Sequence, residues 1–342
     1  VRALARRHYR IRVAVRRPDL AGHLQPLGRV GQIHAVQANI RNAESVEAAV
    51  RGADAVINLV GILYETGRQR FDTVQSYGAE QAALAASAHG ARMIQISAIG
   101  ADENSPSAYA RAKAAGEKAV LAAKPDAVIV RPSVMFGPED DFFNKFAAMA
   151  RLAPALPLIG GGDTKFQPVF VGDVAEAIAR AVDGNAKAGA IYEAGGPDVK
   201  TFKELMQFVL DTIERHRLLV PLPFGLAKLV TTFAQLSPFK PLITPDQVRG
   251  DHATLREGVL ELFATRGLDP AAVHVTKLAL GEGLVDLGDE RGGGDALVAD
   301  IALRPAEPPD LVGGRAAHHD RGAVLAGDRD DAGAPVARLH HL

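Results

Sequence analysis

Asp54-Ala-Val-Ile-Asn58-Leu-Val-Gly61 is an apolar, β-branched run closed by a glycine, and a stretch with helically spaced apolar residues, Gln69 to His89, leads from it to a second such run, Met93-Ile-Gln-Ile-Ser97. Neither short run alternates apolar with polar residues, so each reads as a strand covered on both faces, and the helix between them makes one crossover unit of a parallel sheet. The rhythm continues in both directions. Ile11–Val15, Ile33–Val36, Ala127–Arg131 and Val169–Val171 read as further strands, and Ala43–Val50, Ser107–Ala123 and Asp173–Val182 as helices. The fold class this predicts is α/β, a doubly wound parallel sheet of the Rossmann-like kind. Val1 to Arg7 reads as the middle of an amphipathic helix that should follow a strand and a glycine-rich turn. The expected sheet therefore lacks its N-terminal first strand and phosphate loop, as in a chain that enters in mid-motif.

The 342 residues are 47% hydrophobic, with a formal net charge of -1 and a sequence pI near 6.9. Such a chain has no basic field with which to hold nucleic acid or an anionic bilayer, so no nucleic-acid partner and at most peripheral membrane association are expected. With no cysteine, disulfides, thiolate metal sites and a cysteine nucleophile are excluded. The longest apolar stretch, Leu218 to Leu236, is interrupted by Pro221, Pro223 and Lys228, which argues against a membrane-spanning helix. No signal peptide is read in these residues, and a cytoplasmic location is expected, at most peripheral on the cytoplasmic side of the inner membrane.

Residues 249 to 342 contain no Ser, Asn, Gln, Tyr or Met, whereas the first 248 contain 25 of Ser, Asn and Gln alone. The domain reading is accordingly 1–248 as one folded domain, its small substrate-side region drawn from about 139–162 and 184–248, and 249–342 as a loosely packed low-complexity tail. Its residue set also fits GC-rich DNA translated in an unintended frame. His318-His319 and His340-His341 lack a framework of further ligands, so no metal is expected.

Tyr109-Ala-Arg-Ala-Lys113 sets a phenol and an ammonium four residues apart on one helix face, where Lys113 is expected to lower the phenol's pKa and make it a proton donor and acceptor. About 0.16 such pairs arise by chance in this composition, so context has to decide. Ser97 supplies it: twelve residues earlier, at the carboxyl end of a strand, its hydroxyl is placed to polarise a carbonyl. Arg16 and Arg17 follow the strand Ile11–Val15, at the position where a carboxylate would hold the 2′-hydroxyl of NAD ribose. Guanidinium groups there suit a 2′-phosphate, so NADP(H) is expected over NAD(H). Gly61 permits close approach of main chain to a cofactor, and the rigid turn Arg131-Pro132-Ser133-Val134 can present main chain to a nicotinamide ring. Asp173 is read as the cap of the helix that follows Val169–Val171. Leu226, Val230, Phe233 and Leu236 form an apolar stripe suited to a core.

Val56-Ile-Asn-Leu-Val-Gly-Ile-Leu-Tyr-Glu-Thr-Gly-Arg-Gln-Arg-Phe71, Tyr109 to Glu117, Phe136-Gly-Pro-Glu-Asp-Asp-Phe-Phe-Asn144 and Leu156 to Asp173 together carry a more specific resemblance. The chain, over about Val1 to Val248, resembles the atypical short-chain dehydrogenase/reductases (NAD-dependent epimerase/dehydratase-like) related to the NADPH-binding accessory subunit of respiratory complex I. That resemblance implies an NAD(P)-binding domain in which Arg16 and Arg17 approach the ribose phosphate, Asn39 and Ile40 the adenine, Leu59, Val60, Gly61 and Ile62 the central cofactor, and Pro132, Ser133 and Val134 the nicotinamide. Tyr109 and Lys113 fall on the family's active-site pair, with Ser97 completing the catalytic set and Lys113 also touching cofactor. Two function classes share these residues. One is an accessory or assembly subunit of NADH:ubiquinone oxidoreductase that holds NADP(H), with complex I subunits as partners; the other is a free NADP-dependent reductase or epimerase acting on a small carbonyl or sugar nucleotide. His8 sits where such sequences commonly turn with glycine.

Overall fold

A computed structural model describes residues 1–223 and the strand 299–305. The apolar stripe from Leu226 to Leu236, both histidine pairs and the rest of the biased tail lie outside the described residues. In chain order the first half runs α1 (Arg2–Arg6), β1 (Tyr9–Val15), β2 (Ile33–Gln37), α2 (Ala43–Val50), β3 (Ala55–Asn58), α3 (Gly78–Ala88), β4 (Arg92–Ile96), α4 (Ala108–Ala123) and β5 (Val128–Pro132). There follow β6 (Met135–Phe136), α5 (Phe143–Leu152), β7 (Ala155–Ile159), β8 (Lys165–Phe166), β9 (Val169–Phe170), α6 (Val171–Val182), β10 (Ile191–Ala194), β11 (Lys200–Thr201), α7 (Phe202–Thr212), β12 (Leu218–Leu222) and β13 (Ala299–Pro305).

Seven strands form one sheet in the order β2-β1-β13-β3-β4-β5-β10. Every pairing that does not involve β13 is parallel. Successive residues of a strand point to opposite faces, and both faces are filled. Ile57 and Ile94 meet α1 and α6 on one side, while Val56 and Met93 meet α2 and α3 on the other. Each such side chain withdrawn from water contributes about 1.5–3 kcal/mol.

The sheet departs from expectation at its centre. Instead of a gap, the position between β1 and β3 holds β13, drawn from the tail expected to be loosely packed and antiparallel to both neighbours, with Ile301 opposite Arg12 on one side and Val56 on the other. The physical reason lies in the backbone: two facing strand edges leave rows of unpaired N–H and C=O groups, and a strand of either direction satisfies them whatever its side chains.

Between α1 and β1 the chain turns at His8, whose φ of 64° lies in the left-handed region, the position read as a usual glycine. Arg7 ties this corner to α6 through Glu176 and Asp183, and the Tyr9 hydroxyl donates to Asp183 at 2.6 Å.

A second apolar cluster gathers Phe146 and Ala150 of α5, Leu156 and Leu158 of β7, and Phe202, Leu205, Met206 and Val209 of α7. Thr201 and Glu204 close a capping box at the start of α7. The strand β10, within the stretch read as substrate-side, instead pairs with β5 at the edge of the main sheet. The helix α6 begins at Val171 with no side-chain cap, so Asp173 does not cap it as expected. It sits inside the first turn, and burial raises its pKa.

Candidate functional site

Parallel pairing carries the carboxyl ends of β1 to β5 to one edge of the sheet, which is where doubly wound sheets bind their ligands. Each strand delivers one group of the sequence-derived residues there. Arg16 and Arg17 follow β1, Asn39 and Ile40 follow β2, Leu59 to Ile62 follow β3, Ser97 follows β4, and Pro132 to Val134 end and follow β5. Tyr109 and Lys113 come from α4, the helix after β4.

The loop after β3 is fixed from below. Asn58, fully buried, donates its side-chain amide to Gln95 at 2.9 Å and accepts from the Val60 N–H at 3.1 Å. Gln75 donates to the Ile62 carbonyl at 2.6 Å from a π-helical turn, Asp72–Tyr77, which leads into α3. That turn packs against α4 so closely that a Cβ on Gly116 would stand 2.2 Å from the Gln75 carbonyl oxygen. One continuous set of contacts thus sets the spacing between the Leu59–Ile62 loop and the helix of Tyr109 and Lys113. The loop after β2 is held likewise: the Asn39 N–H donates to Ser45 Oγ at 3.0 Å, and Ile40 is buried against Gly78.

Lys113 is buried, donates to the carbonyl of Ile96 at 3.3 Å, and lies 5.8 Å from the centre of the Tyr109 ring. Phe71 packs edge-on against Tyr109, ring centres 6.0 Å apart. Burial lowers the Lys113 pKa to about 8, the Glu117 carboxylate opposing that shift, and burial raises the Tyr109 phenol to about 12. The expected lowering of the phenol by Lys113 is therefore not what the geometry gives. Loss of water sets the phenol's shift, and the Lys113 ammonium above the ring does not offset it. Glu117 meets Arg131 through two bonds of 2.9 and 2.6 Å, and Arg131 reaches Glu193 at 3.3 Å.

These residues fit a dinucleotide. The Ser97 hydroxyl is buried with no hydrogen-bond partner among the described residues, as an oxygen awaiting a ligand would be. Gly61 is exposed, and a Cβ there would lie 3.3 Å from Lys113 Nζ, so only a bare main chain leaves this surface open. Arg17 differs from expectation in its partner: it is exposed and forked onto Asp19 at 3.0 and 2.7 Å. Pro132 and Ser133 are fixed by main-chain bonds, the Ile99 N–H to Pro132 and the Ser133 N–H to the Ala194 carbonyl. No cluster of metal-ligating side chains occurs among the described residues.

Beside Tyr109 and Val134 opens a cavity of about 720 Å³. Its far wall is aromatic, formed by Phe136, Phe142, Phe166 and Phe202. Sequence reasoning gave these phenylalanines no role in a site, nor Gln75 and Glu117. The available signal was the crowding of eight of the 13 phenylalanines between Phe136 and Phe208.

Residues 1–195 match the model of the family described as NAD dependent epimerase/dehydratase. The chain is 45% identical over 213 residues to NADH dehydrogenase (ubiquinone) 1 alpha subcomplex subunit 9, mitochondrial, of Arabidopsis thaliana, covering 61% of this chain and 53% of that protein. It is 34% identical over 262 residues to the Rattus norvegicus protein of the same description, covering 75% and 68%. The chain thus spans between about half and two thirds of the length of these relatives. Among solved structures, a UDP-glucuronic acid 4-epimerase from Bacillus cereus superposes with a TM-score of 0.52 at 17% identity, over 68% of this chain and 84% of that one, a likeness of fold. With its parallel sheet, its ligand edge and a family match over more than half its length, the chain belongs to the NAD dependent epimerase/dehydratase family.

Proposed function

We propose that this protein is an NADP(H)-binding accessory or assembly subunit of NADH:ubiquinone oxidoreductase, respiratory complex I. The observation that carries this reading is the 45% identity to a protein described as a subunit of that enzyme. A nucleotide that binds only the folded state stabilises a subunit by mass action, without turnover. In this reading Arg16 and Arg17 approach the ribose phosphate, Asn39 and Ile40 the adenine, Leu59 to Ile62 the central cofactor, and Pro132 to Val134 the nicotinamide. No helix among the described residues is long and apolar enough to cross a membrane, so association with the membrane that carries the complex is proposed as peripheral. Deletion of the full-length gene followed by native-gel analysis should show loss of assembled complex I, restored by a Tyr109→Phe copy. Normal assembly without the protein overturns the reading.

A second reading, a free NADP-dependent reductase or epimerase, is favoured by one specific arrangement: Tyr109, with Lys113 at its ring, lines a cavity, and the Ser97 hydroxyl has no hydrogen-bond partner among the described residues. A bound nicotinamide supplies or accepts hydride. Around it, Ser97 would polarise a carbonyl oxygen, Tyr109 would hand it a proton, and Lys113, lowered to about 8, would restore that proton from the interior side. Turnover of a carbonyl substrate that Tyr109→Phe abolishes, in a strain with normal complex I, selects this reading.

A further inference from the structure

The cavity beside Tyr109 has a composition that speaks to its ligand. Phe142 is the hub of its aromatic lining, with ring centres 5.2 Å from Phe146, 5.9 Å from Phe166 and 6.3 Å from Phe202, so four rings pack edge to face along one side of it. Among the described residues the charged groups of the lining are three carboxylates, Glu139, Asp140 and Asp141, and one ammonium, Lys145. Lys145 already pairs with Asp141 at 3.1 Å. Asp140 is turned inward to accept the Phe143 N–H at 2.5 Å, which starts α5.

A nucleoside diphosphate needs the opposite arrangement. Its two phosphates call for guanidinium or ammonium groups, or for several convergent N–H donors, and carboxylates in the same enclosure repel them. Among the described residues the lining has no arginine, and its one lysine faces three carboxylates, one of which it pairs with at the surface. Aromatic and aliphatic surface of this size instead rewards burial of a hydrocarbon.

We propose that this cavity binds a neutral ligand consisting of a hydrocarbon chain and a carbonyl or hydroxyl group, the chain lying along the phenylalanine wall and the oxygen at the Tyr109 end, and that it excludes nucleoside diphosphate sugars. Tyr109 is held protonated by burial, so its phenol meets a neutral oxygen as donor. Binding of this kind stands whether or not the ligand is turned over, so it is independent of the complex I reading.

The test uses the full chain and two probes, 2-undecanone and UDP-glucose, followed by saturation-transfer NMR with titration. The ketone should bind and UDP-glucose should not. Leu63 and Met135 line the cavity and are exposed, so Leu63→Glu and Met135→Glu can be made without emptying the core. Each should weaken the ketone at least about tenfold while the circular dichroism spectrum and thermal midpoint stay unchanged. Binding of UDP-glucose as tight as that of the ketone, no binding of the ketone, or ketone affinity unchanged in both variants overturns the proposal. None of these results bears on complex I assembly, which the gene deletion reads separately.

Discussion

The ammonium nitrogen of Lys113 lies 5.8 Å from the centre of the Tyr109 ring, with the lysine withdrawn from water. Four residues of helix bring the two groups onto one face, and burial then drives their pKa values apart, the lysine down to about 8 and the phenol up to about 12. The lysine consequence is measurable in folding. Below about pH 8 Lys113 is charged in both states, and the folded state bears the full cost of enclosing that charge. Between about 8 and 10.5 the unfolded chain still holds the proton and the folded one has released it, so stability rises with pH. The gain is on the order of 3 kcal/mol across the whole window. Tyr109 acts oppositely and later, since its raised pKa gives stability that is present below pH 10 and lost as pH passes 10 to 12. Chemical unfolding between pH 7.5 and 9.5 should show the rise. A Lys113→Met variant should flatten it, and an equally steep rise in that variant refutes the assignment.

Gly116 governs how α4 docks. A Cβ at this position would meet the main-chain oxygen of Gln75 at 2.2 Å, and neither partner is a flexible side-chain end. Gly116→Ala should therefore cost about 3 kcal/mol or more, despite the better helix propensity of alanine. It should also weaken nucleotide binding, because the displaced turn carries Gln75 and with it the Ile62 carbonyl. Unfolding midpoints and nucleotide titration on the same preparation check both. Unchanged stability would mean that the turn and helix are farther apart than described.

Much of the fold was legible in the sequence. The limits of α2 were read without error, and those of β1 to β5 within about three residues, because buried parallel strands are short apolar runs and their covering helices repeat every three to four residues. The groups at the carboxyl edge followed from those limits. Less legible were α5, β7 and α7, whose phenylalanine and leucine faces serve a separate cluster, and the cavity, which needs residues from Leu63 to Phe202 brought together. The pKa of Tyr109 was misread for a related reason. Spacing reveals a neighbouring charge, while the loss of water depends on residues such as Phe71 that only folding brings near.

His8 holds a φ of 64° at the corner between α1 and β1. Histidine tolerates this conformation better than most residues, yet glycine adopts it without a side-chain penalty. His8→Gly should leave the fold unchanged and raise stability by about 0.5–1 kcal/mol, the relief of strain exceeding the greater freedom of glycine in the unfolded chain. Denaturant midpoints decide, and a loss of stability would show that the imidazole itself contributes.

The central place of β13 invites a direct test. Ile301 pairs across to both Arg12 and Val56, so a proline there removes a ladder donor in the middle of the sheet and forces its ring against a neighbouring strand. Ile301→Pro should cost about 3 kcal/mol or more. Deletion of residues 249–342 should lower the thermal midpoint further, by exposing the facing edges of β1 and β3. A midpoint unchanged by both alterations would show that β13 does not take part in the sheet.

The proposed preference for NADP(H) rests on two arginines in different circumstances. Arg17 forks onto Asp19 with both groups exposed, an arrangement that neutralises the guanidinium at long range while costing little to break. Arg16, half-buried at the end of β1, is the steadier of the two. Charge-assisted bonds to a phosphate contribute about 1.5–3 kcal/mol each, so Arg16→Ala should weaken NADPH about ten- to a hundredfold and leave NADH within a factor of about two. Arg17→Ala should have a smaller effect of the same kind, because its guanidinium must first leave Asp19. Asp19→Ala should tighten NADPH alone, by releasing Arg17 and removing a carboxylate that repels the 2′-phosphate. Calorimetric titration with both nucleotides, on the chain and its three variants preceded by the strand and glycine-rich loop expected upstream of Val1, measures the set. Equal affinity for NADPH and NADH, insensitive to both arginines, would remove the basis for the preference.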